Sequence, residues 1–204
     1  MLLESAEETR VSGASAIEAI GATGGAIDLL GGSVVVDGSS QIRADGTIQA
    51  GEIRIGGDTK GANPGIRTAF TTSLGEDVVI SANGLDQGNG GKIIVWSDDN
   101  TAILARLEAQ AGANGGNGGF IETSSAGVIS FGDVVPSTYA ALGESGTWLI
   151  DPELLTVCAT SGCGVDSGIQ EYVTNKQIQD GFIENNIVVL DATTRVDINA
   201  PISL

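Results

Sequence analysis

The residues with most chemical potential are Asp98, Asp99 and Glu122, with Arg106 and Lys92 close by in the chain. Paired carboxylates serve glycoside hydrolysis, and a calcium-dependent lyase uses carboxylates with an Arg or Lys base. Histidine is absent. That excludes Ser-His-Asp and Cys-His nucleophile arrangements and removes the commonest transition-metal ligand. Asp98-Asp99-Asn100 follows Trp96 at a point where a strand should end. Asp and Asn are turn formers, so the turn reading outweighs the catalytic one, with a weak cation site as second choice. No D-x-D-x-D-G loop and no GGxGxD array is present, so calcium is not demanded. GANGGNGG (112–119) lacks GK[ST] and opens no helix, which makes it a Gly/Asn corner rather than a phosphate loop. No cofactor is expected.

Cys158 and Cys163, in CATSGC, are the only cysteines. They could close a small loop as a disulfide in an oxidising compartment. Two buried free thiols, or a redox or metal pair, are the alternatives. A four-ligand zinc site is out of reach without histidine.

The elements that would position these groups follow a repeat. Strand-like runs start after Gly25, Gly51, Gly91, Gly119 and Gly146, at intervals of 26, 40, 28 and 27 residues. The second residue after each glycine is Ile27, Ile53, Ile93, Ile121 and Trp148. The fourth is Leu29, Ile55, Val95, Thr123 and Ile150, while every charged residue of these runs falls on the other face. Period-two alternation is strand logic, and a fixed period near 27 made of strands and Gly turns predicts an all-β solenoid. Ile27, Ile53, Ile93, Ile121 and Trp148 should form one inward ladder. ILARLEAQAG (103–112) has helical spacing on its own, but the coil period favours strands.

The interval of 40 leaves an insertion of about 13 residues, near 58–73, which should leave the stack as a loop. Such insertions often carry binding, which makes Asp58, Lys60, Asn63 and Arg67 candidate ligand contacts. A loop with only a packing role is the competing reading. Residues 1–20 read as an approach segment or weak first coil, and LLESAEETR as a helical turn or a flexible stretch. Residues 21–157 hold the regular coils and 158–168 the cysteine loop. Residues 169–204 resume with a short helix, anchored by Tyr172, Val173 and Phe182, and then further coils.

Glycine supplies 31 of 204 residues, aromatics 4%, and 41% are apolar, which suits many tight turns around a slim aliphatic interior. The net charge of −17 argues against nucleic acid and anionic lipid as partners. No signal peptide pattern follows Met1, and the chain stops within what reads as another repeat. An interior piece of a longer protein is therefore expected, with Met1 supplied by expression.

GAIDLLGGSVVVDG (25–38), EIRIGGDTKG (52–61), VVISANG (78–84), GNGGKIIVWSDDNT (88–101), NGGFIETSS (117–125) and GTWLIDPELLTV (146–157) occur in order. With these motifs the chain resembles the filamentous-haemagglutinin-like large exoproteins of Gram-negative bacteria and cyanobacteria. The resemblance covers about two thirds of the chain. It implies a right-handed parallel β-helix from the fibre region, secretion through an outer-membrane two-partner transporter, and display at the outer cell surface. It further implies adjoining β-helix segments of the same filament and a glycan or protein on a host or neighbouring cell as partners. Stalk or adhesin is the function expected, and a toxin-delivery stalk or a polysaccharide-acting enzyme are the alternatives. The resemblance carries over no catalytic residues.

Overall fold

The computed structural model describes residues 1–159, 172–183 and 187–203. The chain winds through seven coils. The first carries β1 (Leu2–Glu4), β2 (Glu8–Val11), β3 (Ala16–Glu18) and β4 (Gly21–Thr23). The second repeats them as β5 (Ala26–Leu30), β6 (Ser33–Val36), β7 (Gln41–Arg43) and β8 (Gly46–Gln49). The third has β9 (Glu52–Ile55), β10 (Thr71–Leu74) and β11 (Val79–Ser81), and the fourth β12 (Lys92–Val95), β13 (Asn100–Ile103) and β14 (Arg106–Glu108). The fifth has β15 (Phe120–Ser124) and β16 (Val128–Phe131). The sixth has β17 (Thr147–Asp151), β18 (Leu154–Cys158), β19 (Tyr172–Thr174) and the helix α1 (Asn175–Ile183). β20 (Ile187–Leu190) and β21 (Arg195–Ile198) form the seventh.

Like strands of successive coils stack in parallel. The first sheet runs β1-β5-β9-β12-β15-β17-β20, the second β2-β6-β10-β13-β16 and the third β3-β7-β11-β14. The chain is a right-handed parallel β-helix whose third coil carries an insertion and whose sixth carries β19 and α1. Seven coils at about 4.8 Å each make a rod roughly 35 Å long.

Register follows the repeat. Ile27 pairs with Ile53, Ile53 with Ile93, Ile93 with Ile121 and Ile121 with Trp148, and all five are fully buried. Trp148 is the bulkiest of them. Its Nε1 donates to Thr123 Oγ1 at 2.9 Å, and its ring meets Phe131 edge-on, with centroids 5.9 Å apart. Here the interior widens, and α1 fills it. Ile178 joins the core and Gly181 lies against Trp148, while Gln177 Nε2 donates to the carbonyls of Gly132 and Val134. Tyr172 and Val173 belong to β19 rather than to the helix, because they pair with Thr156 and Val157 of β18.

LLESAEETR forms β1 and β2, not a helical turn. Thr9 and Val11 point into the core and Glu8 and Arg10 out, and pairing with the second coil fixes that alternation. ILARLEAQ is two strand ends: Ile103 closes β13 and Leu107 centres β14, both buried, with the corner at Leu104-Ala105. Helical spacing there arises because a corner resets the strand period.

The corner before the first sheet explains the repeated glycines. A Cβ on Gly91 would stand 2.1 Å from Gly51 O, one on Gly119 2.2 Å from Gly91 O, and one on Gly146 2.2 Å from Gly119 O. These carbonyls accept the inter-coil bonds from Lys92 N (3.0 Å), Phe120 N (2.9 Å) and Thr147 N (2.9 Å). A side chain would occupy the place of the bond that joins the coils. Gly119→Ala should therefore lower stability by about 2–3 kcal/mol, the cost of overpacking. Urea melts of both proteins test this, and a loss below about 0.5 kcal/mol, the range of ordinary surface changes, would contradict it.

Candidate functional site

The insertion is built from the end of β9. Gly56 turns with φ +79, and Asp58 caps a short 3-10 turn over Thr59–Gly61, accepting from Thr59 N at 2.8 Å. Asn63 Nδ2 donates to the other Asp58 oxygen at 2.9 Å. Burial would raise the Asp58 carboxyl, but these two donors hold it below its ordinary value. Ala69 N closes the base of the loop on Gly56 O at 2.7 Å.

This loop does not stand away from the stack. It lies along the outer face of the first sheet, over Trp96, whose indole is 6% exposed. Gly57 and Gly61 rest directly on that ring, and a Cβ on either would come within 2.7 Å of it. Lys60 adopts the left-handed conformation, φ 54, which is uncommon for a side chain other than Gly, Asn or Asp. That turn aims its backbone N–H at Glu122 Oε1 (2.8 Å) and its Nζ at Asp151 (3.0 Å) and Asp191 (2.7 Å). The hydrogen bonds to the two aspartates raise the Lys60 ammonium pKa, and Lys60 lowers that of Asp191. Farther along, Thr68 Oγ1 donates to Asp98 at 2.7 Å, and Arg67 donates to Ala6 O at 2.9 Å beside Glu4.

Asp58, Lys60, Asn63 and Arg67 thus all make contacts within the chain. Asp58 and Asn63 shape the loop from within, while the Lys60 and Arg67 side chains hold it down on the stack. Glu122 sits on the outward face of β15, as alternation requires, yet it is fully buried because the loop covers it. Among the described residues its Oε2, Ser124 Oγ and Thr59 Oγ1 have no hydrogen-bond partner. Burial raises the Glu122 carboxyl pKa and nearby Asp151 adds to the rise, against the opposing pull of the Lys60 N–H and Lys92.

The candidate catalytic groups do not converge. Arg106 lies on β14 in the third sheet and pairs with Glu108 at 3.2 Å. Lys92 pairs with Glu52 at 3.4 Å and stands over the Phe120 ring. Asp98 serves its own turn, accepting from Trp96 Nε1 at 3.2 Å as well as from Thr68. The Asp99 carbonyl accepts from Val128 N. Among the described residues no group of three or more Asp, Glu or Cys is arranged to hold a metal ion. A groove of about 690 Å³ follows the glycine corner, walled by Gln49, Glu52, Lys92 and Phe120. Cys158 ends β18 and is buried, and Cys163 lies outside the described residues.

Sequence reasoning missed the meeting of Lys60 with Asp151 and Asp191. The only signal was a lysine at the tip of an insertion in a strongly acidic chain. No helix among the described residues is long and apolar enough to cross a membrane. Fold and contacts define the chain as a repeat protein of the β-solenoid class with a strapped outer face. No protein-family model matches the chain, and no curated protein does.

A group held more protonated in the fold than in the unfolded chain stabilises fully below its unfolded pKa. That contribution is lost as pH rises through the folded pKa. Glu122 is such a group. Glu122→Gln keeps an acceptor for Lys60 N–H and offers an N–H toward Ser124. It should match or exceed the parent stability at pH 7, by up to about 1 kcal/mol, and the difference should close as pH falls into the ordinary Glu range. Glu122→Ala, which orphans the Lys60 N–H, should cost about 1–3 kcal/mol. Urea melts across pH check both, and a Gln variant weaker than the parent at pH 7 would show that the charge itself is needed.

Proposed function

We propose that this chain is a structural stalk segment of a filamentous-haemagglutinin-like exoprotein. In this reading it is exported by a two-partner transporter and displayed or released at the outer surface of a Gram-negative cell. It acts as a rigid spacer with no catalysis of its own. The observation that carries this reading is the unbroken seven-strand parallel ladder of the first sheet. Such a ladder adds length at a fixed rise per coil, and a filament needs that property. The committed side chains of the insertion support a spacer over a ligand-binding loop, since Asp58, Lys60, Asn63 and Arg67 already have partners in the chain. The motifs shared with the exoproteins supply the expectation of secretion and of neighbouring solenoid segments.

Antibodies raised against the chain should label intact cells of the source organism or detect it in the medium. A signal confined to the cytosolic fraction would sink the proposal. A glycan-array and host-cell binding screen separates spacer from adhesin. It compares the chain with a variant in which residues 58–73 are replaced by a short Gly turn. A spacer gives no binding above background in either case. Binding that vanishes with the loop, while β-rich circular dichroism persists, would make the segment an adhesive module instead.

A further inference from the structure

A solenoid is nearly one-dimensional. Each coil touches only its neighbours, and the terminal coils, with one interface each, fray first. The insertion between β9 and β10 breaks that rule. Arg67 reaches the first coil at Ala6 O and Glu4. Thr68 and the two loop glycines engage Asp98 and Trp96 beyond β12 in the fourth. The Lys60 N–H reaches Glu122 in the fifth, and its Nζ reaches Asp151 in the sixth and Asp191, directly after β20 of the seventh. A segment rooted in the third coil therefore contacts the described stack from the first coil to the seventh.

Dimensions explain why two long side chains are used. Six rises of about 4.8 Å separate the first coil from the seventh, roughly 29 Å. The seven residue steps from Lys60 to Arg67 span at most about 25 Å of backbone when extended, and the 3-10 turn shortens that. Backbone alone falls short, so a lysine at one end and an arginine at the other complete the span. The left-handed Lys60 backbone, costly for that residue, is held in place by the contacts on both sides of it.

We propose that residues 56–69 form an axial brace that couples the first and seventh described coils to the third and makes the described stack open as one unit. The seventh coil gains the contact at Asp191. Ile187 and Val189 of β20 are more than a third exposed, so this coil, like the first with its exposed Leu2 and Leu3, buries less than the coils between them. Its link through Asp191 to the third coil means that it cannot detach without also breaking a contact 131 residues away in sequence. The brace is independent of which filament the chain belongs to, and its failure would leave the stalk reading untouched.

Hydrogen exchange read by mass spectrometry on the whole chain tests it. Three single variants are compared with the parent: Lys60→Met, Arg67→Met and, as a charge control in an exposed pair, Arg195→Met. Lys60→Met should speed exchange in β17 and β20 by three- to tenfold while β12 keeps the parent rate. Arg67→Met should speed exchange in β2 alone by a similar factor, and the control should leave β2, β12 and β17 at the parent rate. A change below twofold in β20 on losing Lys60 would overturn the brace. So would equal acceleration of every coil, which would mean only a general loss of stability.

Discussion

The spacing between coils constrains everything else in this molecule. Parallel backbone bonds hold each coil about 4.8 Å above the last, and no side chain can change that rise. At the corner before the first sheet, the carbonyl of one coil occupies the place a Cβ of the next would take. Glycine at 51, 91, 119 and 146 is thus a steric condition for stacking rather than a source of flexibility. Once the corner is fixed, β9, β12, β15 and β17 leave it in register, and Ile53, Ile93, Ile121 and Trp148 must fall into one column.

Close stacking also dictates the outer surface. Neighbouring outward side chains are forced together, so like charges in one column would repel. In the column that starts at Asp28 the next residue is Arg54, and the two meet at 2.7 Å with both largely shielded. Two coils on, Glu122 stands in the same column and is accommodated differently, buried under the loop with its carboxyl pKa raised by that burial. At another corner hydroxyls take over: Ser97, Thr101 and Ser125 are fully buried and bond to one another or to strand carbonyls. With 26 acidic and only 9 basic residues, the chain sets several of its cations between coils: Arg10 on Asp37, Arg54 on Asp28 and Lys92 on Glu52.

What could be read in the sequence was whatever repeats. The glycine starts and the alternation after them are local patterns that recur at the coil period, so chance cannot easily mimic them, and that period outweighed the helical spacing of ILARLEAQ. Alternation correctly placed Glu122 on the outer face. It gives only the side of a strand, however, and not what lies over that side, so the burial of Glu122 was not legible. Asp58, Lys60, Asn63 and Arg67 were recognisable as residues of an insertion, but Asp191 and Ala6, the partners of Lys60 and Arg67, lie far away along the chain. Nothing in an insertion's own composition says whether it stands up or lies down. The first coil was obscured for a related reason: ETRV alternates over only four residues and becomes a strand because β6 is there to pair with it.

Repetition and the insertion thus do opposite things. Repeats make stability additive: each coil contributes its own interface, and length is gained without new design. Additivity leaves the ends weak, because a terminal coil is held by one interface where an inner one has two. A longer hydrophobic column cannot cure this, since it only moves the end. A contact that skips coils can, and in a rod with a fixed rise it must run along the outside, where a long flat segment is needed. The insertion meets those geometric requirements. Its glycines let it lie flat on Trp96, its cap turns Lys60 toward the sixth and seventh coils, and its far arm returns to the first. The irregular third coil is therefore the element through which the others depend on each other.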